Sequence, residues 1–127
     1  MTFSEFHGSF ANTLLFYFIA LAIWGSWRFL RKEGVNSSYW GGLAIAEILL
    51  VLQFLIGGYL WITGIRPARS VHLLYGIVAI LAIPGMYMYT KGRTDRPEML
   101  MYAVVTLITV GLILRATFTG EVALPGG

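Results

Sequence analysis

This chain has no cysteine and few charged residues. The absence of cysteine from its 127 residues excludes disulfide bonds, thiolate zinc sites, iron–sulfur clusters and covalently attached c-type haem. Charged side chains make up only 12% of the residues, whereas 57% are hydrophobic, and the mean hydropathy is +0.74. A water-soluble domain of this composition would expose too much apolar surface, so the composition predicts an integral membrane protein.

Several functional classes lack their sequence motifs. The chain has no pair of Glu-x-x-His motifs for a carboxylate di-iron site, no glycine-rich phosphate loop and no G-x-S-x-G elbow. The net charge is +3, but the basic residues stand in short connections beside apolar runs. This placement favours anionic lipid headgroups over nucleic acid as the partner of the basic residues.

Four long apolar runs indicate transmembrane helices. We expect these helices at about 3–32, 38–63, 67–90 and 96–119, because each run approaches the length that crosses a hydrocarbon core of roughly 30 Å. The connections are short, so neighbouring helices should be antiparallel. The sequence therefore predicts a single all-α domain over residues 1–127, an integral-membrane up-down four-helix bundle.

The basic residues predict the orientation of the bundle. Six basic residues lie beside the first and third connections: Arg28, Arg31, Lys32, Lys91, Arg93 and Arg96. The other three lie toward the opposite side of the membrane: Arg66, Arg69 and Arg115. By the positive-inside rule, both termini should lie outside, in a multi-pass protein of a prokaryotic inner or plasma membrane. Aromatic residues agree with these edges, and Tyr39 and Tyr102 are among those expected at the inner interface.

The chain has only two histidines, His7 and His72, one near the start of the first helix and one near the start of the third. Thr2 followed by Glu5 has the spacing of a capping box, and Pro67 suits the first turn of a helix. Each histidine then lies about five residues, roughly 7 Å, inside its helix. Both helices run inward, so the two imidazoles should lie at similar depth on diagonal helices of the bundle.

A small residue follows each histidine by four positions, Ala11 after His7 and Gly76 after His72. Residues four apart share a helix face, so both leave space for the edge of a macrocycle. This pattern is typical of bis-imidazole ligation of haem iron, and it predicts His7 and His72 as the metal ligands near the outer face.

Three arginines lie near the same outer end, and we expect them to pair with haem propionates: Arg66, Arg69 and Arg115. An alternative interpretation stays open for all these residues. Histidines near helix starts can hydrogen-bond water or headgroups, and arginines at the edge of a span can extend to lipid phosphates.

The stretch LQFLIGGYLWITGIRPARSVHLLYG, residues 52–76, resembles a segment of the haem A synthase family. In that family a helix carrying Gln and Gly-Gly is joined by a short outer loop to a helix that begins with a His-Leu-Leu motif. The matching residues here are Gln53, Gly57, Gly58 and His72. The stretch SEFHGSF resembles the family's preceding helix, so the resemblance implies that His7 and His72 are the axial pair of one haem b.

The chain departs from the family pattern in three ways. Gly8 stands where the family typically has an arginine after the first histidine, and Glu5 lies only two residues before His7. Full synthases are also longer, because they contain two such bundles with two cofactor sites. The resemblance therefore implies one haem site and speaks against hydroxylation of a haem methyl group.

Two polar residues lie in the second helix. Glu47 is about eight residues, roughly 12 Å, from the inner end, where an ionisable group is costly. Glu47 could carry protons or contact a quinol headgroup near the inner surface. The favoured interpretation is that it only holds helices together, either as a protonated residue or bonded to a tyrosine or serine such as Tyr87 or Ser26. Gln53 should bond across to another helix.

These observations lead to two main hypotheses. The first is a small membrane b-type cytochrome that transfers single electrons to or from a quinone or a partner complex. The second is a cofactor-free accessory subunit of a respiratory or photosynthetic membrane complex, or a homo-oligomer. A haem-modifying enzyme is a third hypothesis that rests on the family analogy alone.

Overall fold

A computed structural model describes residues 2–64 and 71–119 of the chain. Within these residues the fold is all-helical, without strands, and has four helices: α1 (Phe3–Leu30), α2 (Ser37–Ile62), α3 (Val71–Thr90) and α4 (Arg96–Thr119). All four helices are long and apolar enough to cross a membrane. The helical fold predicted from the apolar runs is confirmed, and the four spans suggest a multi-pass membrane protein.

Local sequence signals set the ends of α1. The Thr2 hydroxyl accepts a hydrogen bond from the backbone N–H of Glu5 at 3.1 Å, as the capping spacing predicts. The helix ends at Leu30, two residues earlier than expected, because Lys32 takes a left-handed φ of 61° that cannot continue an α-helix.

The other boundaries lie close to those expected. Asn36 caps α2 by accepting a hydrogen bond from the backbone N–H of Tyr39 at 2.8 Å. The helix α3 continues through Pro84 to Thr90. The expected start of the third helix at Pro67 lies outside the described residues.

The helices form a ring in which neighbours in sequence are also neighbours in space. Each of α1 and α3 packs against α2 and α4, whereas the described residues of α1 and α3 have no Cα atoms within 8 Å of one another. The helices that pack against each other are antiparallel. For example, the Arg96 guanidinium at the start of α4 donates to the carbonyl of Phe29 near the end of α1. The helices α1 and α3 are therefore diagonal.

The best-packed core lies toward the end of the bundle that holds the connections α1–α2 and α3–α4. Tyr39 and Tyr102, two of the aromatic residues expected at the inner interface, are fully buried there. The Tyr39 hydroxyl donates to the carbonyl of Leu21 at 3.0 Å, and the Tyr102 hydroxyl pairs with the Thr90 hydroxyl at 2.9 Å. Because each hydroxyl has a partner, burial of these rings leaves no polar group unsatisfied.

The outer surface of the bundle is apolar. Large hydrophobic side chains stand exposed on every helix, among them Phe16, Ile62, Met88 and Leu107. A surface of this kind is unfavourable in water and favourable against acyl chains, since the helices satisfy their own backbone hydrogen bonds. The exterior suggests contact with a lipid bilayer.

Candidate functional site

A cavity of about 820 Å³ opens between all four helices at one end of the bundle. We call this end, formed by the N-terminal ends of α1 and α3 and the C-terminal ends of α2 and α4, the histidine end. The volume is in the range of small-molecule and cofactor sites. Apolar side chains from the four helices form most of the walls, among them Leu14, Leu50, Phe54, Ala79, Ile80 and Ile113.

His7 and His72 line this cavity from the diagonal helices α1 and α3. Their ring centres are 6.1 Å apart, and the ring planes are inclined by 71°. Two imidazoles that share one metal, each nitrogen about 2 Å from it, have ring centres roughly 6 Å apart. The structure thus brings the only two histidines of the chain together at a spacing that suits a shared metal.

A backbone contact orients the His72 ring. Its Nδ1 lies 2.6 Å from the carbonyl oxygen of Ala116 on α4. A carbonyl oxygen can only accept, so Nδ1 carries the proton, and a neutral ring then keeps its lone pair on Nε2. Histidine ligands of metals are commonly held by such a hydrogen bond from the second nitrogen.

The other histidine, His7, sits against α2. The Gln53 side chain donates from Nε2 to the backbone carbonyl of His7 at 2.7 Å, which confirms that Gln53 bonds across to another helix. A Cβ atom built on Gly57 would lie only 3.1 Å from Cε1 of His7, closer than ordinary van der Waals contact. Glycine at position 57 therefore leaves the space that the His7 ring occupies.

Small residues also widen the cavity around the histidines. Ala11 and Gly76, expected beneath the two rings, both line it, and so does Gly8. A Cβ atom on Gly76 would meet only the edge of the Phe54 ring at 3.8 Å, and one on Gly8 would meet nothing within 4 Å. Gly8, where the family resemblance leads one to expect an arginine, thus adds open space beside His7.

Of the three arginines of the predicted site, the structure describes only Arg115. Arg115 is exposed, and its guanidinium carbon lies 5.9 Å from the ring centre of Tyr75, which lines the cavity. Arg115 therefore stands beside the cavity wall, in contact with Tyr75 and not among the lining residues. Arg66 and Arg69 lie outside the described residues.

Glu47 lies beyond the floor of the cavity. It precedes the lining residue Leu50 by three positions on α2, in the direction away from the histidines. Its Oε1 atom is buried without a hydrogen-bond partner, so that oxygen does not make the expected bond to Tyr87 or Ser26. Glu47 is not part of the cavity wall.

Within residues 2–64 and 71–119, no three histidine, cysteine, aspartate or glutamate side chains come together in a way that could hold a metal ion. Among the residues that the structure describes, a metal at this site would have only the His7 and His72 imidazoles as protein ligands. An axial pair on haem requires no more than two protein ligands, since the porphyrin supplies the others.

Three features of the site have no signature in the sequence: the Ala116 carbonyl, the contact of Gly57 with His7, and the position of Tyr75 in the wall. A backbone acceptor has no side-chain signature, and the other two depend on how the helices are rotated. No family model, no curated protein and no solved structure matches this chain.

Proposed function

We propose that this protein is a small membrane b-type cytochrome that holds one haem between His7 and His72 and transfers single electrons. One observation carries the proposal. The two imidazoles meet 6.1 Å apart within a cavity that separates the diagonal helices α1 and α3. Polar side chains inside a membrane bundle are costly, so two that meet in its interior indicate a functional site.

The residues present fit a haem. The His72 ring, fixed through Nδ1 by the Ala116 carbonyl, would offer Nε2 as one ligand of the haem iron, and His7 would offer the second. Ala11 and Gly76 leave room for the macrocycle against α1 and α3. The apolar wall excludes water and so contributes to the reduction potential, while bound haem supplies the one-electron chemistry.

The finer parts of the proposal extend from the sequence. The histidine end faces the outside of a prokaryotic inner or plasma membrane, with both termini on that side. Arg115, together with Arg66 and Arg69, binds the propionates. Electrons pass to or from a quinone or a partner complex, and the chain is a single-bundle relative of the haem A synthases.

The test is optical spectroscopy of the purified protein in detergent after addition of haem. The wild-type chain should give a low-spin b-type spectrum, and His7→Ala and His72→Ala should each lose it. Phe16→Ala, a change on the exposed surface of α1, is the matched control and should keep it. Circular dichroism of each variant checks that the helices are retained.

An absence of low-spin haem in the wild-type protein would overturn the cytochrome proposal. Co-purification with a large membrane complex without a haem assignable to this chain would then favour the accessory-subunit hypothesis. Loss of the spectrum in Phe16→Ala as well as in the histidine variants would show that the signal depends on general folding.

A further inference from the structure

We propose that Gln53 is the positioning residue for His7: its side-chain oxygen accepts a hydrogen bond from Nδ1 of His7 and so leaves Nε2 of that ring to bind iron. This inference rests on the proposed function and names how the same site is controlled. Gln53 on α2 would then accept the Nδ1 proton of His7, as the Ala116 carbonyl on α4 accepts the Nδ1 proton of His72.

Two buried atoms without partners carry the inference. Nδ1 of His7 and Oε1 of Gln53 are both buried, and neither has a hydrogen-bond partner. A buried polar group without a partner is costly, typically about 1–3 kcal/mol. The two atoms are complementary, because a protonated ring nitrogen donates and an amide oxygen only accepts.

The two side chains are already neighbours. The same Gln53 amide donates from Nε2 to the backbone carbonyl of His7 at 2.7 Å, so its Oε1 is held beside the residue that carries the second unpaired atom. A hydrogen bond from Nδ1–H to Oε1 would satisfy both atoms at once.

The position of Gln53 on α2 supports this role. Gln53 and Gly57 are four residues apart, so they occupy one face of the helix, and both contact His7. Gly57 lies against the Cε1 edge of the ring, and Gln53 holds the backbone carbonyl of His7. Between these two residues, only the His7 tautomer with a proton on Nδ1 can donate a hydrogen bond to Oε1 of Gln53.

The first experiment needs no haem. The chain contains only two histidines, so ¹⁵N-histidine labelling of a His72→Ala variant reports His7 alone. We expect nitrogen chemical shifts of the Nδ1-protonated tautomer, and loss of that tautomer as the main species in His72→Ala with Gln53→Met. The control is His72→Ala with Leu55→Met, a change at an exposed position on the same helix. This double variant should keep the Nδ1-protonated tautomer.

The second experiment measures haem affinity in chains that keep both histidines. Gln53→Met should weaken haem binding about 10–100-fold, the usual effect of losing a partner of a metal ligand. Gln53→Glu keeps an acceptor oxygen for Nδ1 but loses the donor to the His7 carbonyl, so it should recover part of this loss, with a lower midpoint potential because the imidazole becomes more basic. Leu55→Met should bind haem as the wild type does.

An unchanged His7 tautomer in Gln53→Met would overturn the inference, as would equal haem affinity in Gln53→Met and the wild type. A wild-type chain that binds no haem would overturn the proposed function instead. In that case the labelling experiment still decides the role of Gln53, since it is carried out without haem.

Discussion

Replacement of Gly57 by alanine is expected to weaken haem binding through His7. The new Cβ atom would lie 3.1 Å from Cε1 of His7 and 3.5 Å from Nε2. Ordinary contacts begin near 3.4 Å, so the ring has to move by a few tenths of an ångström. Forced overpacking costs about 1–3 kcal/mol, and 1.4 kcal/mol corresponds to a factor of about ten in a binding constant. We therefore expect haem affinity to fall about tenfold or more.

The matched control is Gly41→Ala on the same helix, where a Cβ atom would meet nothing within 4 Å. Both changes raise helix propensity by the same amount, about 0.5–1 kcal/mol, so the difference between them isolates the contact with His7. Haem titration of the two variants, followed by the low-spin absorption, gives the comparison. Equal haem affinity in Gly57→Ala and Gly41→Ala would show that the space at Gly57 is not needed for His7 to bind haem.

Three further predictions concern the rest of the bundle. Gly25→Ala should destabilise the fold by about 1–3 kcal/mol in a thermal or denaturant titration, because its Cβ atom would lie 2.6 Å from the buried Tyr39 hydroxyl. Arg93→Met should cost about 1–3 kcal/mol in the same assay, since it leaves the buried Glu98 carboxylate without its partner at 3.3 Å, and adding Glu98→Gln should recover most of the loss. Because the chain has no native cysteine, Lys32→Cys can be labelled alone; a membrane-impermeant reagent should reach it only after intact cells are opened, and labelling of intact cells would reverse the predicted orientation.

The four helices could be predicted from the sequence because each apolar run carries its own signal. The start of α1 was also predictable, since Thr2 and Glu5 are close in sequence and the hydrogen bond between them is local. The diagonal placement of His7 and His72 follows from short connections, which make successive helices antiparallel neighbours.

The details of packing could not be predicted, because they depend on helix rotation. Gly57 and Gly58 are adjacent in sequence, yet only Gly57 faces His7, since successive residues on a helix point about 100° apart. Tyr39 and Tyr102 have the sequence signature of an interfacial aromatic residue whether they face lipid or the core. The Ala116 carbonyl that holds His72 has no signature at all.

The most direct test of the central claim is a titration of the purified wild-type chain with haem, followed by the absorption spectrum of the reduced form. We expect saturation at one haem per chain, with a low-spin spectrum that requires both imidazoles. A spectrum of free or high-spin haem at every ratio would contradict it.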